Sequence, residues 1–169
     1  LRHTSDWAVR SGALRRLHGL VLGGACEYAS FGAHLKALRE PLVAQCAELR
    51  SSLVREACAL LSALAATLRE GFEPYVHDYF PPLLKQTTVT IQIIREASNE
   101  GVRAMLIYTT PAKLAPKILA ACADRAASLR KNGVEYLLLL LDACPAAAEG
   151  ERGPLERHAD AITTQLKGG

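Results

Sequence analysis

The amino-acid sequence predicts an all-α fold built from stacked helix pairs. Half of the 169 residues are hydrophobic, which is enough to bury a core, and only 5% are aromatic. Alanine and leucine dominate, and they favour close-packed helices over sheets rich in Val, Ile, Tyr and Phe. Four of the pairs formed by an apolar residue and a following arginine are spaced at intervals of 45, 40 and 35 residues. A repeat of about 40 residues is typical of HEAT proteins, in which each repeat is a pair of helices.

Each apolar-arginine pair is expected to open the second helix of a repeat. The two middle copies are the most alike, because both continue with Glu-Ala and an apolar stripe at helical spacing. Since a helix that buries a single stripe is unstable alone, neighbouring repeats should stack into a solenoid. The pairs are Val9-Arg10, Val54-Arg55, Ile94-Arg95 and Leu129-Arg130. The two stripes are Val54, Ala57, Cys58, Leu61, Leu64, Ala65 and Leu68, then Ile94, Ala97, Ser98, Gly101, Ala104, Met105 and Tyr108.

Glycine and proline mark the joints between eight predicted helices. The helices are expected at 6–22, 31–48, 52–69, 74–87, 93–109, 112–124, 127–143 and 153–167. Pro41 and the pair Pro81-Pro82 fall inside helices, where they predict kinks or breaks. Three complete repeats flanked by two half repeats then form a single domain over 1–169, which we expect to belong to a larger multi-domain protein. The intra-repeat turns, at 5–7, 50–52, 88–92 and 124–128, should lie along one edge.

Charge and residue spacing argue against several functions. A net charge of +3 gives no strong field towards nucleic acid or an anionic membrane. The longest apolar run, 136–141, is far shorter than the roughly 20 residues of a membrane helix. The five scattered cysteines are typical of reduced core residues in a cytosolic protein. Since no metal-ligand spacing, nucleophile motif or phosphate loop occurs, we expect no metal, no cofactor and no catalysis.

Three segments resemble the TOG domains of the cytoplasmic linker-associated protein (CLASP) family. They are Asp-Trp-Ala-Val-Arg at 6–10, Leu-Arg-Ser-Ser-Leu-Val-Arg-Glu-Ala-Cys at 49–58 and Leu-Glu-Arg-His at 155–158, in the family's order. The ciliary TOG-array proteins of the crescerin type are similar too. The resemblance implies a flat paddle whose stacked turns bind αβ-tubulin. The whole protein would be a cytoplasmic regulator of microtubule dynamics, at the spindle or in the cilium, and the isolated domain a monomer.

The resemblance also implies which residues contact tubulin. Its leading contact is an exposed tryptophan on the first turn, which is Trp7 here. Trp7 is the only tryptophan of the chain and follows a predicted helix N-cap, although a buried end cap is the alternative interpretation. Arg55 and Arg95, in contrast, are interpreted as braces between repeats, and the third turn carries no Lys or Arg. The full set of candidate tubulin-binding residues is Trp7, Arg50, Ser51, Ser52, Gln92, Arg125 and Lys131.

Two other functions are compatible with a helical-repeat chain. A protein-protein interaction scaffold would bind a peptide or partner helix on its concave face, and polar side chains would then line the inner helices rather than the turns. A helical-repeat RNA reader would need base-reading side chains at a regular period. The unequal intervals of 45, 40 and 35 residues and the small net charge argue against the RNA reader.

Overall fold

The computed structural model describes residues 6–109, 112–144, 153 and 155–167, and within them the fold is entirely helical. The predicted all-α fold is confirmed. The predicted helix bounds agree to within about three residues, except that the last helix begins at Ala159 rather than at 153. The α-helices are α1 Trp7–Leu22, α2 Phe31–Cys46, α3 Ser51–Leu68, α4 Glu73–Gln86, α5 Gln92–Thr109, α6 Ala115–Cys122, α7 Ala127–Ala143 and α8 Ala159–Lys167. Short 3-10 helices lie at Ala25–Glu27, Arg69–Phe72, Ala112–Leu114 and Glu156–His158.

Local chemistry explains where several helices begin and end. The Asp6 carboxylate caps α1, because its Oδ1 accepts the backbone N–H of Ala8 at 2.8 Å. Gly24 follows the end of α1 with φ +86°, a left-handed conformation that glycine adopts without strain. Pro74 and Pro116 lie in the first turns of α4 and α6, where the missing N–H breaks no helical hydrogen bond. The breakers Thr110-Pro111 and most of 145–154 lie outside the described residues.

The prolines inside helices do not interrupt them. Helix α2 continues through Pro41, and α4 continues through Pro81 and Pro82. The carbonyl oxygen of Pro41 accepts a hydrogen bond from Nε2 of Gln45 at 3.3 Å, within the same helix. The prediction of a break at these positions is therefore wrong, while the kink remains a prediction.

The helices form two layers, as expected of a HEAT solenoid. In one layer α1 packs on α3, α3 on α5 and α5 on α7. In the other layer α2 packs on α4 and α6 packs on α8, and each of α2, α4 and α6 also contacts the odd-numbered helix that follows it. Each repeat is therefore an even-numbered helix followed by an odd-numbered one. Helices α3 and α5 lie at the centre of the domain, and each buries eight of its 18 residues.

Burial confirms the two apolar stripes. It also shows that the first apolar-arginine pair is not equivalent to the two middle pairs. In the stripe of α3 every residue is buried except Leu68, which is half-buried. The stripe of α5 is buried apart from Ala104, which is half-buried, and Tyr108, which is exposed. Val54 and Ile94 are fully buried, whereas Val9 is 57% exposed. The first pair therefore lies in a different environment, because α1 packs on an odd-numbered helix along only one of its sides.

Two glycines allow neighbouring helices to approach closely. A Cβ atom at Gly133 of α7 would lie 2.6 Å from the backbone nitrogen of Cys122 at the end of α6. A Cβ atom at Gly101 of α5 would lie 3.3 Å from the Leu83 side chain of α4. The first distance is a clash with backbone, so the packing of α6 on α7 depends on glycine at position 133.

One stretch, Ser51–Gln86, is long and apolar enough to cross a membrane when judged by length and composition alone. It consists of two helices, α3 and α4, separated by the 3-10 helix at Arg69–Phe72. Leu53, Leu61 and Leu64 of α3 are buried in the protein core, between α1 and α5. Packing within the domain therefore accounts for the apolar character of this stretch.

Candidate functional site

The four intra-repeat turns lie side by side, joined by polar contacts between neighbours. Arg10 Nη1 of the first turn donates to Glu48 Oε2 of the second at 2.9 Å. Gln86, at the end of α4, donates from Nε2 to the backbone oxygen of Glu48 at 2.9 Å. Asn132 of α7 donates from Nδ2 to Thr87 Oγ1 at 3.1 Å. Consecutive turns are therefore neighbours, as predicted, and we call residues 6–10, 47–52, 87–92 and 123–131 the turn edge.

Trp7 and Arg50, which lie far apart in the sequence, meet at one end of the turn edge. Trp7 is the first residue of α1, and 44% of its surface is exposed. The guanidinium carbon of Arg50 lies 5.2 Å from the centre of the indole ring, which is within the range of a cation–π contact. Trp7 is therefore not buried as an end cap. The Arg50 guanidinium contacts its ring, and the side chain stays accessible to solvent.

The other predicted residues of the second and third turns lie at helix starts rather than in loops. Ser51 begins α3, and Ser51 and Ser52 are both half-buried in its first turn. Gln92 begins α5 and is exposed, with Nε2 donating to Glu96 Oε1 at 2.7 Å. Arg50, the N-cap residue of α3, has no side-chain acceptor to offer the helix. The partial positive charge of that helix end therefore adds to the charge of Arg50.

The fourth turn presents the basic end of the turn edge. Arg125 is exposed in the loop, and Lys131 is exposed on α7, one turn into the helix. Asp124 Oδ1 accepts the Ala126 backbone N–H at 2.8 Å. Arg130 Nη1 donates to the backbone oxygens of Asp124 and Arg125 at 3.0 and 2.9 Å. Arg130 is exposed but stabilises the loop, and Arg125 and Lys131 are two further exposed cations of this turn.

The recurring arginines have different roles. Arg10 bridges two repeats through Glu48, and also donates to Gln45 Oε1 at 3.2 Å. Arg95 donates to the backbone oxygen of Val89, six residues earlier at 3.3 Å, so it closes its own turn rather than bracing a neighbour. The prediction that Arg55 braces repeats is wrong. Its side chain is 64% exposed and lies 3.8 Å from Glu56 of its own helix, because its position on α3 faces solvent.

Two exposed apolar residues of the turn edge were missed from the sequence. Leu49, on the second turn, is 73% exposed, and Ile91, on the third turn, is 46% exposed. Each precedes the first turn of an odd-numbered helix, next to Arg50 and Gln92 respectively. The only sequence signal was an apolar residue placed between polar neighbours just before a helix start. With Trp7 and Val9 of the first turn, they place at least one exposed apolar side chain on each of the first three turns.

Glu48 is the polar centre of the second turn. Its carboxylate accepts the backbone N–H of Leu49 and the guanidinium of Arg10, both at 2.9 Å. These hydrogen bonds, the Leu49 N–H first, lower the pKa of Glu48 below its ordinary value of 4.5. The Glu48 carboxylate therefore stays ionised at a lower pH than an ordinary glutamate, and its contact with Arg10 joins the first two turns.

Among the described residues, neither a metal site nor a reactive pair of buried thiols is present. Within them, no group of three His, Cys, Asp or Glu side chains is placed to hold a metal ion. Cys46 and Cys58 are buried in the core, and burial raises the pKa of the Cys58 thiol to about 12. A thiol with so high a pKa stays protonated and is a poor nucleophile. What the turn edge offers is an exposed surface that combines apolar side chains with cations, which suits binding.

A two-layer HEAT solenoid with its turns aligned along one edge and an exposed tryptophan on the first turn defines the class of TOG-type helical-repeat domains. Comparison with known families agrees with this class. The family model described as CLASP N terminal matches residues 2–167. The chain therefore belongs to the CLASP N-terminal family.

Relatives from distant eukaryotes carry similar sequence. A CLIP-associated protein of Arabidopsis thaliana is 39% identical over 148 residues, which cover 87% of this chain and 10% of the relative. The CLIP-associating protein 1-B of Xenopus laevis is 29% identical over 164 residues, covering 97% of this chain and 11% of the relative. The stu-1 protein of Neurospora crassa is 28% identical over 141 residues, covering 80% of this chain and 12% of the relative. The chain thus spans about a tenth of the length of these relatives.

Proposed function

We propose that this domain is a non-catalytic binding module for αβ-tubulin within a microtubule-associated regulator of microtubule dynamics. The binding surface is the turn edge. The observation that carries the proposal is the exposed Trp7 ring beside Arg50 at the first two turns, in a domain of the CLASP N-terminal family. The domain acts as a monomer in the cytoplasm, on microtubules, and contributes affinity and orientation without a covalent step.

The exposed apolar residues of the turn edge account for affinity. An aromatic side chain at the centre of a desolvated contact is a frequent binding hot spot, and it is effective when neighbouring residues exclude water. Trp7 supplies the aromatic ring, and Leu49 and Ile91 extend the apolar surface along the second and third turns. Ser51, Ser52 and Gln92 lie beside these residues and offer hydroxyl and amide groups for hydrogen bonds.

The cations of the turn edge account for orientation. Arg50 lies at one end with Trp7, while Arg125 and Lys131 lie on the fourth turn. Between them the third turn carries no Lys or Arg. An acidic partner is therefore contacted by cations at both ends and by apolar side chains between them. Complementary charges at the rim of an interface raise the association rate and fix register more than they raise affinity.

The test compares two exposed aromatic residues on opposite edges of the domain. Trp7→Ala is expected to weaken binding to soluble αβ-tubulin by about 2 kcal/mol, or roughly 30-fold in Kd. The matched control is Tyr28→Ala, because Tyr28 is 73% exposed and follows the far end of α1. We expect Tyr28→Ala to leave Kd unchanged, and both variants to keep the melting temperature of the parent domain. Fluorescence titration and size-exclusion chromatography measure the binding.

Three results would contradict the proposal in different ways. Equal loss of affinity in both variants would mean that Trp7 is not a specific anchor. A parent domain that binds no tubulin would keep the fold and the family but transfer the function to a scaffold that binds a peptide or partner helix. A large fall in melting temperature for Trp7→Ala would show that the ring supports the fold.

Charge reversal on the fourth turn tests the electrostatic part of the proposal. Arg125→Glu combined with Lys131→Glu should weaken tubulin binding several-fold at low salt and much less at about 0.5 M salt, because exposed charges are screened. Arg55→Glu is the matched control, since Arg55 is exposed on α3 outside the turn edge. An effect of Arg55→Glu that is half that of the double reversal would mean that only the net charge of the domain matters, because it changes the charge by half as much.

A further inference from the structure

We propose that Ser128, on the fourth turn of the turn edge, is a phosphorylation site whose modification weakens tubulin binding. Ser128 is the second residue of α7 and is exposed. The phosphoryl group comes from ATP. A bond forms between Ser128 Oγ and the γ-phosphorus, the bond from that phosphorus to the ADP oxygen breaks, and the hydroxyl proton passes to a base of the protein kinase. The effect on binding rests on the proposed function, whereas the modification itself does not.

The residues around Ser128 match the charge pattern that basophilic serine kinases select. Arg125 precedes Ser128 by three residues, and Leu129 follows it directly. Kinases of this class bind an arginine at that position through their own carboxylates, which form strong charge-assisted hydrogen bonds with a guanidinium. Arg125 is exposed in the loop, so a kinase can reach its guanidinium and the Ser128 hydroxyl together.

Burial distinguishes Ser128 from the other hydroxyl groups that a kinase of this class could select. Arg95 and Ser98 of α5 have the same spacing, but Ser98 is fully buried, so it is inaccessible in the folded domain. The remaining hydroxyl groups of the turn edge are buried or half-buried, or they lack a basic residue three positions earlier. They are Ser51, Ser52, Thr87, Thr88 and Thr90. Only Ser128 on the turn edge combines exposure with the arginine.

The backbone before Ser128 is already close to the extended form in which a substrate segment enters a kinase. Ala126 has φ −77° and ψ 119°, which is an extended conformation. The backbone N–H groups of Leu129 and Arg130 both donate to the Ala126 oxygen at 3.0 Å, and these are the first hydrogen bonds of α7. Because helix ends open more readily than helix centres, unwinding one turn is enough to present Ser128 to a kinase.

The charge of a phosphate at this position explains the expected loss of binding. Phosphoserine carries roughly −1.5 to −2 charges at neutral pH. Lys131 lies three residues after Ser128, and side chains at that spacing are neighbours on a helix. The phosphate therefore lies close to Lys131 and to Arg125, the two cations assigned to tubulin contact, and offsets their charge. A negative charge also suits the first turn of α7, whose N-cap Ala126 offers no side-chain acceptor. The fold should therefore tolerate the modification.

The first measurement is phosphorylation of the domain by a purified basophilic serine kinase with Mg²⁺ and ATP, mapped by peptide mass spectrometry. We expect Ser128 to take up one phosphoryl group and Ser98 to stay unmodified in the folded domain. Arg125→Gln should slow the modification of Ser128 by about tenfold or more, because one charged contact with the kinase is lost. The control is Ser30, which is exposed before α2 but follows Glu27 by three residues. An unmodified Ser128, or equal modification of Ser30, overturns the proposal.

The second measurement compares the affinity of the phosphorylated and unmodified domains for soluble αβ-tubulin. We expect phosphorylation to raise Kd about three-fold to tenfold at low salt and much less at about 0.5 M salt, because exposed charges are screened. The melting temperature should stay constant or rise by about 1–3 °C. Ser128→Glu should reproduce part of the loss, whereas Ser30→Glu should leave Kd unchanged. Kinase treatment should not alter the Kd of Ser128→Ala.

The outcomes separate this site from the proposed function. A parent domain that binds tubulin with the same Kd before and after phosphorylation overturns the role of Ser128 alone. A parent domain that binds no tubulin overturns the proposed function as well, while the modification of Ser128 is still measured by mass spectrometry. A phosphorylated domain that melts several degrees lower also overturns the proposal, because the loss of binding would then follow from unfolding.

Discussion

Leucine occupies two opposite environments in this domain. The contrast distinguishes the residues that stabilise the fold from the residues that remain accessible to a partner. Leu61 is fully buried in the middle of α3, whereas Leu49 is 73% exposed at the second turn. Only twelve positions separate them. Burial of a leucine stabilises the fold, while an exposed leucine on an ordered turn stays available for a partner.

The same contrast explains how the domain can combine a packed frame with an accessible surface. The odd-numbered helices pack on one another through their apolar stripes, and the turns are tied together by polar contacts such as those of Glu48. Residues such as Trp7 and Leu49 then sit on a supported edge without contributing much to the core. Substitutions in the two regions should therefore affect different measurements.

The largest expected effect is a loss of stability at the interior leucine. Leu61→Ala should lower the free energy of unfolding by about 2–5 kcal/mol, because it removes buried methyl groups and leaves a cavity. Leu49→Ala is the matched control and should change stability by less than about 0.5 kcal/mol. Urea denaturation followed by circular dichroism measures both. Similar losses of unfolding free energy in the two variants would contradict the distinction between core and turn edge.

Glycine offers a second pair of environments, with a smaller expected effect. Gly133→Ala should destabilise the domain by about 1–3 kcal/mol, because the new Cβ meets the backbone of α6 and the helices must separate. Gly12→Ala, in α1, has no neighbouring atom within 4 Å of its Cβ position. That change should instead stabilise the helix by up to about 1 kcal/mol, since alanine is the better helix former. A stabilising Gly133→Ala would refute the close approach of α6 and α7.

The smallest expected effect concerns the carboxylate that joins the first two turns. Because the folded-state pKa of Glu48 lies below its ordinary value of 4.5, ionised Glu48 stabilises the fold at higher pH. That contribution is lost as the pH falls from the ordinary value through the lowered one. Glu48→Gln should thus cost about 1 kcal/mol at pH 7, given its partial exposure, and progressively less as the pH falls below 4.5.

The control for this variant is Glu27→Gln, because Glu27 is exposed in the connection between α1 and α2. We expect it to change stability by less than about 0.5 kcal/mol at either pH. Thermal melting at a series of pH values makes the comparison. A loss from Glu48→Gln that does not vary with pH would mean that shape rather than charge matters at this position.

The sequence by itself determined the fold class, the stacking of helix pairs and nearly all helix bounds. Period and stripe are local properties, and a helix with one apolar stripe can be stable only against neighbours, so the pattern required a solenoid. It also indicated Trp7, because a single tryptophan after an N-cap residue is visible without coordinates. The resemblance carried by residues 6–10 and 49–58 led to the family to which the chain belongs.

Only the tertiary structure decided which side chains meet. Trp7 and Arg50 are 43 positions apart in the chain, and their contact follows from the parallel stacking of α1 on α3. Arg55 and Arg95 look equivalent in sequence, yet one points to solvent and the other closes its turn. Periodicity determines the spacing of a stripe but not the rotation of the helix about its axis. Packing against neighbouring helices determines that rotation. For the same reason the exposure of Leu49 could be read only from the packed fold.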